Sequence, residues 1–194
     1  MKDSSKDTSN KNRLIQRTGH FEKLLTYQKS LVIYDLTFYF CHKYLERGDR
    51  TIDQMIQAAR SGKQNIAEGS SFSATSKKLE MNLINVAKSS LKELRADYED
   101  YLRTRGHRIW EDDSDEVEAM KKIGREYNSD VDYFMNIAKS RPPETVANMI
   151  RCLILQNDFL LFRQLEALER DFLREGGFSE RMSKMRKEQL KKQQ

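Results

Sequence analysis

A chain of 194 residues with 38% hydrophobic and 34% charged side chains, two prolines and eight glycines has room for one sizeable domain with appendages. It is too poor in turn signals for a β-sandwich. The formal net charge of +5 is unevenly spread: residues 1–26 carry six basic and three acidic side chains, 106–140 five and nine, and 176–194 six and two. Basic ends around an acidic middle suit a polyanionic partner. No uninterrupted apolar run reaches about 18 residues, so no membrane span is expected. The opening MKDSSKDTSNKNR has no apolar h-region, so no secretory signal is expected there. With Cys41 and Cys152 isolated from each other, two buried, reduced thiols in a cytoplasmic protein are the expectation.

Residues 1–19, rich in Ser, Asp, Asn and Lys, read as a disordered tail with little to bury. From Phe21 a helical pattern begins. Leu24, Tyr27, Leu31, Tyr34, Phe38, Cys41 and Leu45 recur at alternating spacings of three and four, a heptad-like seam. Val32, Ile33, Leu36, Tyr39 and Phe40 widen it to nearly all round, so this helix has to be covered from several sides. Gly48 suits a terminator. A second helix opens at Asp49–Thr51 and runs to Glu68 on the seam Ile52, Met55, Ala59, Gly62 and Ile66. Gly62 costs about 1 kcal/mol of helix propensity relative to alanine, and close approach of another helix is the expected compensation. Gly69 is expected to end this helix, with Ser70–Ser76 as the turn and Thr75 or Ser76 as the next cap.

The third helix spans 77–105 on the stripe Ile84, Ala87, Leu91, Leu94, Tyr98 and Tyr101, with Leu79, Leu83 and Val86 beside its start and Gly106 as its stop. Residues 107–140 break the regularity. Glu111–Glu118 suits a helix start by its carboxylates, Tyr127–Asp130 reads as a turn, and Tyr133, Phe134, Ile137 and Ala138 suggest another short helix. This stretch is read as an insertion packed on the main body. Pro142–Pro143 opens a long helix from Glu144 to Arg174, in which Asn157 and Asp158 interrupt the most apolar section and call for partners. Gly176–Gly177 ends it, and the remainder is a basic segment, either a short helix or a frayed end. The sum is an all-α chain. Its most economical form is an antiparallel up-down four-helix bundle built from 21–46, 50–68, 77–105 and 144–174. The bundle domain covers 20–178 with the insert 107–140, and a basic tail covers 179–194.

Catalytic chemistry is not visible. His20, His42 and His107 are the only histidines, and nothing has the CxxC or HExxH spacing of a metal site. Cys41 and His42 are adjacent, so on a helix they point about 100° apart and make a poor dyad. Glycine-rich phosphate loops are missing. Asp97–Asp100 and Asp112–Asp113 read as solvated faces rather than acid–base pairs, and Glu68 as structural. No metal, cofactor or enzymatic activity is therefore expected. The basic residues say more. Lys78, Lys88, Lys92 and Arg95 fall near one face of the third helix with Asn85 between them, and Arg60, Lys63 and Lys77 extend the patch. Such a stripe binds phosphates without reading bases. A solvated face explains it as well, Glu99 lies one turn from Arg95, and the heptad spacing of Tyr98 and Tyr101 points to core packing rather than base stacking.

The run NIAEG (Asn65–Gly69), a serine-containing turn, and LEMNLINVAKSSLKEL (Leu79–Leu94) resemble the four-helix bundle family of 23S rRNA intervening-sequence proteins. Leu83, Ile84, Val86, Ala87, Ser90, Leu91, Glu93 and Leu94 carry the second motif, and the resemblance covers about residues 27–105. The segments around Pro142–Ile154 and Arg163–Gly177 are similar to the branch with a suffix region. The resemblance implies an up-down bundle that assembles into a homo-oligomeric ring, pentameric in characterised relatives. It also implies a link to RNA or DNA, since a related accessory protein of diversity-generating retroelements binds nucleic acid and a reverse transcriptase. The insert, the basic tail and Gln57, where relatives often carry a basic residue before two alanines, depart from the pattern. The chain is thus expected to be a non-enzymatic nucleic-acid-binding accessory. The competing expectation is a protein–protein scaffold that uses exposed apolar residues of the first and last helices.

Overall fold

The computed structural model describes residues 20–192. The expected 1–19 tail lies outside them, as do the last two residues of the 179–194 tail. The described residues are all-helical, without a strand. After a 3-10 turn at Phe21–Lys23 come α1 (Leu25–Tyr44), α2 (Arg50–Ser71), α3 (Lys77–Thr104), α4 (Asp115–Glu126), α5 (Val131–Lys139), α6 (Pro143–Glu175) and α7 (Phe178–Lys192). Side chains cap the starts as their chemistry dictates. Asp49 accepts from the Thr51 amide, Ser76 from Leu79, Ser114 from Val117 and Asp130 from Tyr133. Pro143 begins α6, where a missing N–H costs nothing. No helix among the described residues is long and apolar enough to cross a membrane.

Helix α2 packs on α1 and α3, and α6 packs on α1 and α3, so the four long helices share one core. Within the insert, α4 lies on α6 and α5 on α1. Met55, Ile66, Ile84, Leu91, Leu94, Tyr98, Ile150 and Leu153 fill the centre. The face that α1 buries differs from the expected seam. Val32, Ile33, Leu36 and Phe40 are fully buried, whereas Tyr27, Leu31 and Tyr34 are half-buried and Phe38 is exposed. The buried face also takes in Thr26, Lys29, Ser30 and Thr37, polar positions that an apolar count passes over.

The tightest contact is between α2 and α3. A Cβ added to Gly62 would lie 2.8 Å from both Cγ and Cδ2 of Leu91, so the helices meet over a bare backbone. Gly69 does not end α2, which continues to Ser71. A Cβ at Gly69 would lie 3.4 Å from the Glu80 carbonyl and from Leu83 Cβ. It is a second close approach on the same face, and the turn begins only after it.

Polar side chains of α6 and α1 tie the insert down by its backbone. Buried Asn148 accepts from the Trp110 amide at 2.9 Å and donates to the Arg108 carbonyl at 2.9 Å and the Glu144 carbonyl at 3.0 Å. Gln156 donates to the Met120 carbonyl at 2.8 Å. The Lys29 ammonium, itself buried, donates to the Gly124 carbonyl at 2.7 Å and to Gln156 Oε1 at 3.1 Å. It sits where the last carbonyls of α4 present the negative end of the helix dipole.

Two outcomes follow from this packing. Gly62→Ala gains helix propensity but overpacks Leu91, and is expected to lower unfolding free energy in urea by about 1 kcal/mol net. In a Leu91→Ala background the same change is expected to raise it by about 1 kcal/mol, because the clash is gone and the propensity gain remains. For Lys29, burial pulls the ammonium from 10.5 down to about 8. Between those values the unfolded chain holds a proton that the folded chain has released, so stability from this group rises with pH across the window and is lost below about 8. Measured against Lys29→Met, which lacks the titration, the native chain is expected to gain up to about 3 kcal/mol between pH 8 and pH 10.5.

Candidate nucleic-acid interface

The one-per-100° turn of α3 sets its core stripe toward the centre and its cationic flank toward α6. Lys88 Nζ lies 3.1 Å from Asp158 Oδ1 on α6 and 5.6 Å from the centroid of the Phe162 ring. Arg95 Nε is 3.5 Å from Glu99 Oε1, and the same oxygen accepts from Arg151 Nε of α6 at 2.8 Å. Glu99 is thereby shared between two guanidinium groups. Lys77 pairs with Glu80 at 3.2 Å. Glu80 is buried, and burial raises its carboxyl above the usual carboxylate range while the Lys77 charge pulls it back. On α2, Lys63 Nζ sits 4.1 Å from the centroid of the Tyr34 ring of α1, on the α1 side of α2 rather than beside the α6-facing flank of α3.

The expected patch therefore separates into two kinds of cation. Lys77, Lys88, Arg95 and Lys63 have intramolecular partners, whereas Lys78, Lys92 and Arg60 are exposed and make no ion pair among the described residues. The patch also does not gather on one surface: Lys63 faces α1 while Lys88 and Arg95 border a groove with α6, lined by Asn85, Lys92 and Ile154 as well.

A cluster that residue spacing alone did not locate lies at one end of the molecule. Arg181 donates to the Ala74 carbonyl at 3.3 Å, which sets the first turns of α7 beside the α2–α3 turn and the start of α3. Lys78 is exposed there, and Lys184, Arg186, Lys187 and Lys191 are exposed along α7. Of its two acidic residues, Glu180 accepts from the Gly177 amide at 2.7 Å, and Glu188 is exposed without an ion pair among the described residues. The basic composition of 176–194 signalled these charges, but not the docking of α7 beside the α2–α3 turn.

Other chemistry is buried or dispersed. Tyr98 is fully buried and its hydroxyl donates to Thr37 Oγ1 at 3.1 Å, and Tyr101 packs edge-on to Phe40, so neither presents a face to a base. Cys41 is buried with Sγ 3.9 Å from Met55 Sδ, while the His42 ring is exposed against the Phe38 carbonyl. Among the described residues no three His, Cys, Asp or Glu side chains gather in a way that holds a metal ion. Comparison with family models, with curated proteins and with solved structures finds no match.

Burial pushes the Cys41 thiol up to about 12 and the Cys152 thiol up to about 11. Neither forms a thiolate near neutrality, and both are shielded. An aromatic disulfide reagent at about pH 8 is expected to modify neither thiol in the native chain, and both as soon as urea unfolds it, with absorbance as the readout.

Proposed function

We propose that this chain is a non-enzymatic, homo-oligomeric accessory protein that binds RNA or DNA through phosphate contacts. In this reading the four long helices form an antiparallel bundle of the intervening-sequence type, with the insert and α7 as additions. The observation that carries it is the set of exposed cations at one end, Lys78 with Lys184, Arg186, Lys187 and Lys191. A helical row of lysines and arginines without a fork of base-reading side chains suits a polyanion's backbone rather than its sequence. The NIAEG run and the Leu79–Leu94 pattern support the family reading. By that analogy the assembly is a ring, pentameric as in characterised relatives, and a reverse transcriptase is one candidate protein partner.

The second reading is a protein–protein scaffold, favoured by Phe162, Phe172 and Leu173, which are exposed on α6. The two differ in their response to salt and to nuclease. A protein interface survives both, whereas phosphate binding weakens steeply with salt.

A filter-binding salt titration separates them. Changing Lys184, Arg186 and Lys187 together to Ala is expected to weaken duplex binding uniformly across sequences and to flatten the slope of log affinity against log salt by about 2 to 3. The Lys88, Lys92 and Arg95 triple substitution is expected to flatten it by about 1, because only Lys92 is unpaired. Unchanged affinity and slope in both variants would leave the scaffold reading standing.

A further inference from the structure

Between the first turn of α1, the inner face of α4 and the middle of α6 lies a cavity of about 640 Å³. That volume falls within the roughly 300–1,000 Å³ of small-molecule sites. Its walls are mainly apolar: Leu25, Val117, Leu155, Phe159 and Leu160. Leu25 and Phe159 are 56% and 63% exposed, so two large apolar side chains at this cavity face water. That surface is covered when an apolar body enters.

The charge around the cavity has one sign in excess. Arg125, on its wall and exposed, uses Nε on the Lys121 carbonyl at 3.1 Å and makes no ion pair among the described residues, so its terminal nitrogens hold no carboxylate there. On the inner side, Gly124 and Gln156 form part of the wall and both accept from the buried Lys29 ammonium behind them. No carboxylate pairs with that ammonium among the described residues, so its charge is met only by neutral dipoles. Asp112 also borders the cavity: its carbonyl accepts from Lys121 at 3.4 Å, and its carboxylate, without an ion pair among the described residues, is the one acidic group on the wall. Lys121 itself pairs with Glu118 at 2.6 Å.

The geometry points to a binding site for an aliphatic monocarboxylate, its chain against Leu25, Val117, Leu155 and Phe159 and its head on the Arg125 guanidinium. With Nε engaged, the edge between the two terminal nitrogens of the planar guanidinium still matches a carboxylate in a bidentate pair. With Lys121 matched by Glu118, Arg125 and the buried Lys29 together outweigh Asp112, so an anionic head is favoured over a cationic one, and an apolar chain without a head would leave the positive end unmet. The site is independent of the nucleic-acid reading, since it lies on α1, α4 and α6 and uses none of the cations of α7.

The test is isothermal titration of the full chain with dodecanoate below its micelle concentration, with dodecyltrimethylammonium as the charge control. Binding of one dodecanoate per chain is expected, with none of the cationic amphiphile. Arg125→Ala and Phe159→Ala, both at exposed positions that do not carry the fold, are each expected to weaken it about tenfold. Equal binding of the two amphiphiles, or dodecanoate binding indifferent to both substitutions, would overturn the site. So would a concentration-dependent dimer that Phe159→Ala dissolves and dodecanoate leaves intact, since a second copy would then be what covers the cavity.

Discussion

Helices α2 and α3 approach each other where α2 has no side chain to hold them apart. Leu91 lies over the bare backbone of Gly62, and seven residues further along the same face Gly69 admits the Glu80 carbonyl and Leu83. Two such points on one helix set both the separation of the pair and its angle, which a single contact cannot do. Each glycine costs about 1 kcal/mol of helix propensity, offset by dispersion contacts that a larger residue would prevent. With α3 held in this register, its stripe from Ile84 to Tyr101 faces the centre. Tyr98 then reaches Thr37 of α1 with its hydroxyl, and Phe40 packs between Tyr98 and Tyr101. The cationic flank of α3 is consequently turned to α6, where Asp158 meets Lys88. Core geometry and surface chemistry are thus set by the same pair of glycines.

The insert depends on a different principle. It has few apolar residues to offer, Trp110, Val117, Met120 and Phe134 among them, and its remaining attachment comes from side chains that capture backbone carbonyls and amides. Asn148 satisfies three backbone groups, and Gln156 and Lys29 meet over Gly124. Buried polar groups satisfied in this way stabilise and fix position, and left unpaired they cost about 1–3 kcal/mol each. The neighbouring Asn157 shows the contrast: it is fully buried, and neither its amide nitrogen nor its oxygen has a hydrogen-bond partner among the described residues. One turn of α6 therefore holds both a satisfied amide and an unsatisfied one.

Much of the helical layout was legible in the chain because its punctuation is chemical. Asp49, Ser76, Pro143 and Gly176 mark ends by capping, ring constraint or positive φ, and these act locally. The buried face of α1 was not legible. Its apolar residues run nearly all round, and the decision among faces is made by α2, α5 and α6 rather than by α1. The role of Gly69 was misread for a related reason, since a glycine that stops a helix and one that admits a neighbour look alike until the neighbour is known. Lys29 carried no signal at all, because a lysine on a helix is ordinarily solvated.

The same limit applied to the candidate interface, and it shows why a count of cations does not measure a polyanion site. Lys88, Arg95 and Lys77 have the right spacing, but spacing does not reveal that Asp158, Glu99 and Glu80 already meet them. To reach a phosphate such a cation has to give up its carboxylate, so the gain from the new pair is set against the loss of the old one. The carboxylate left behind then repels the incoming anion. In the case of Lys88 the lost pair also bridges α3 to α6, which makes it part of the fold. Cations on α7 bear no such cost: beyond the Arg181 contact to the α2–α3 turn, Lys184, Arg186, Lys187 and Lys191 are exposed and make no ion pair among the described residues. Free phosphate-binding capacity therefore lies where the chain contributes least to the core, at the end of the molecule that Lys78 shares with α7.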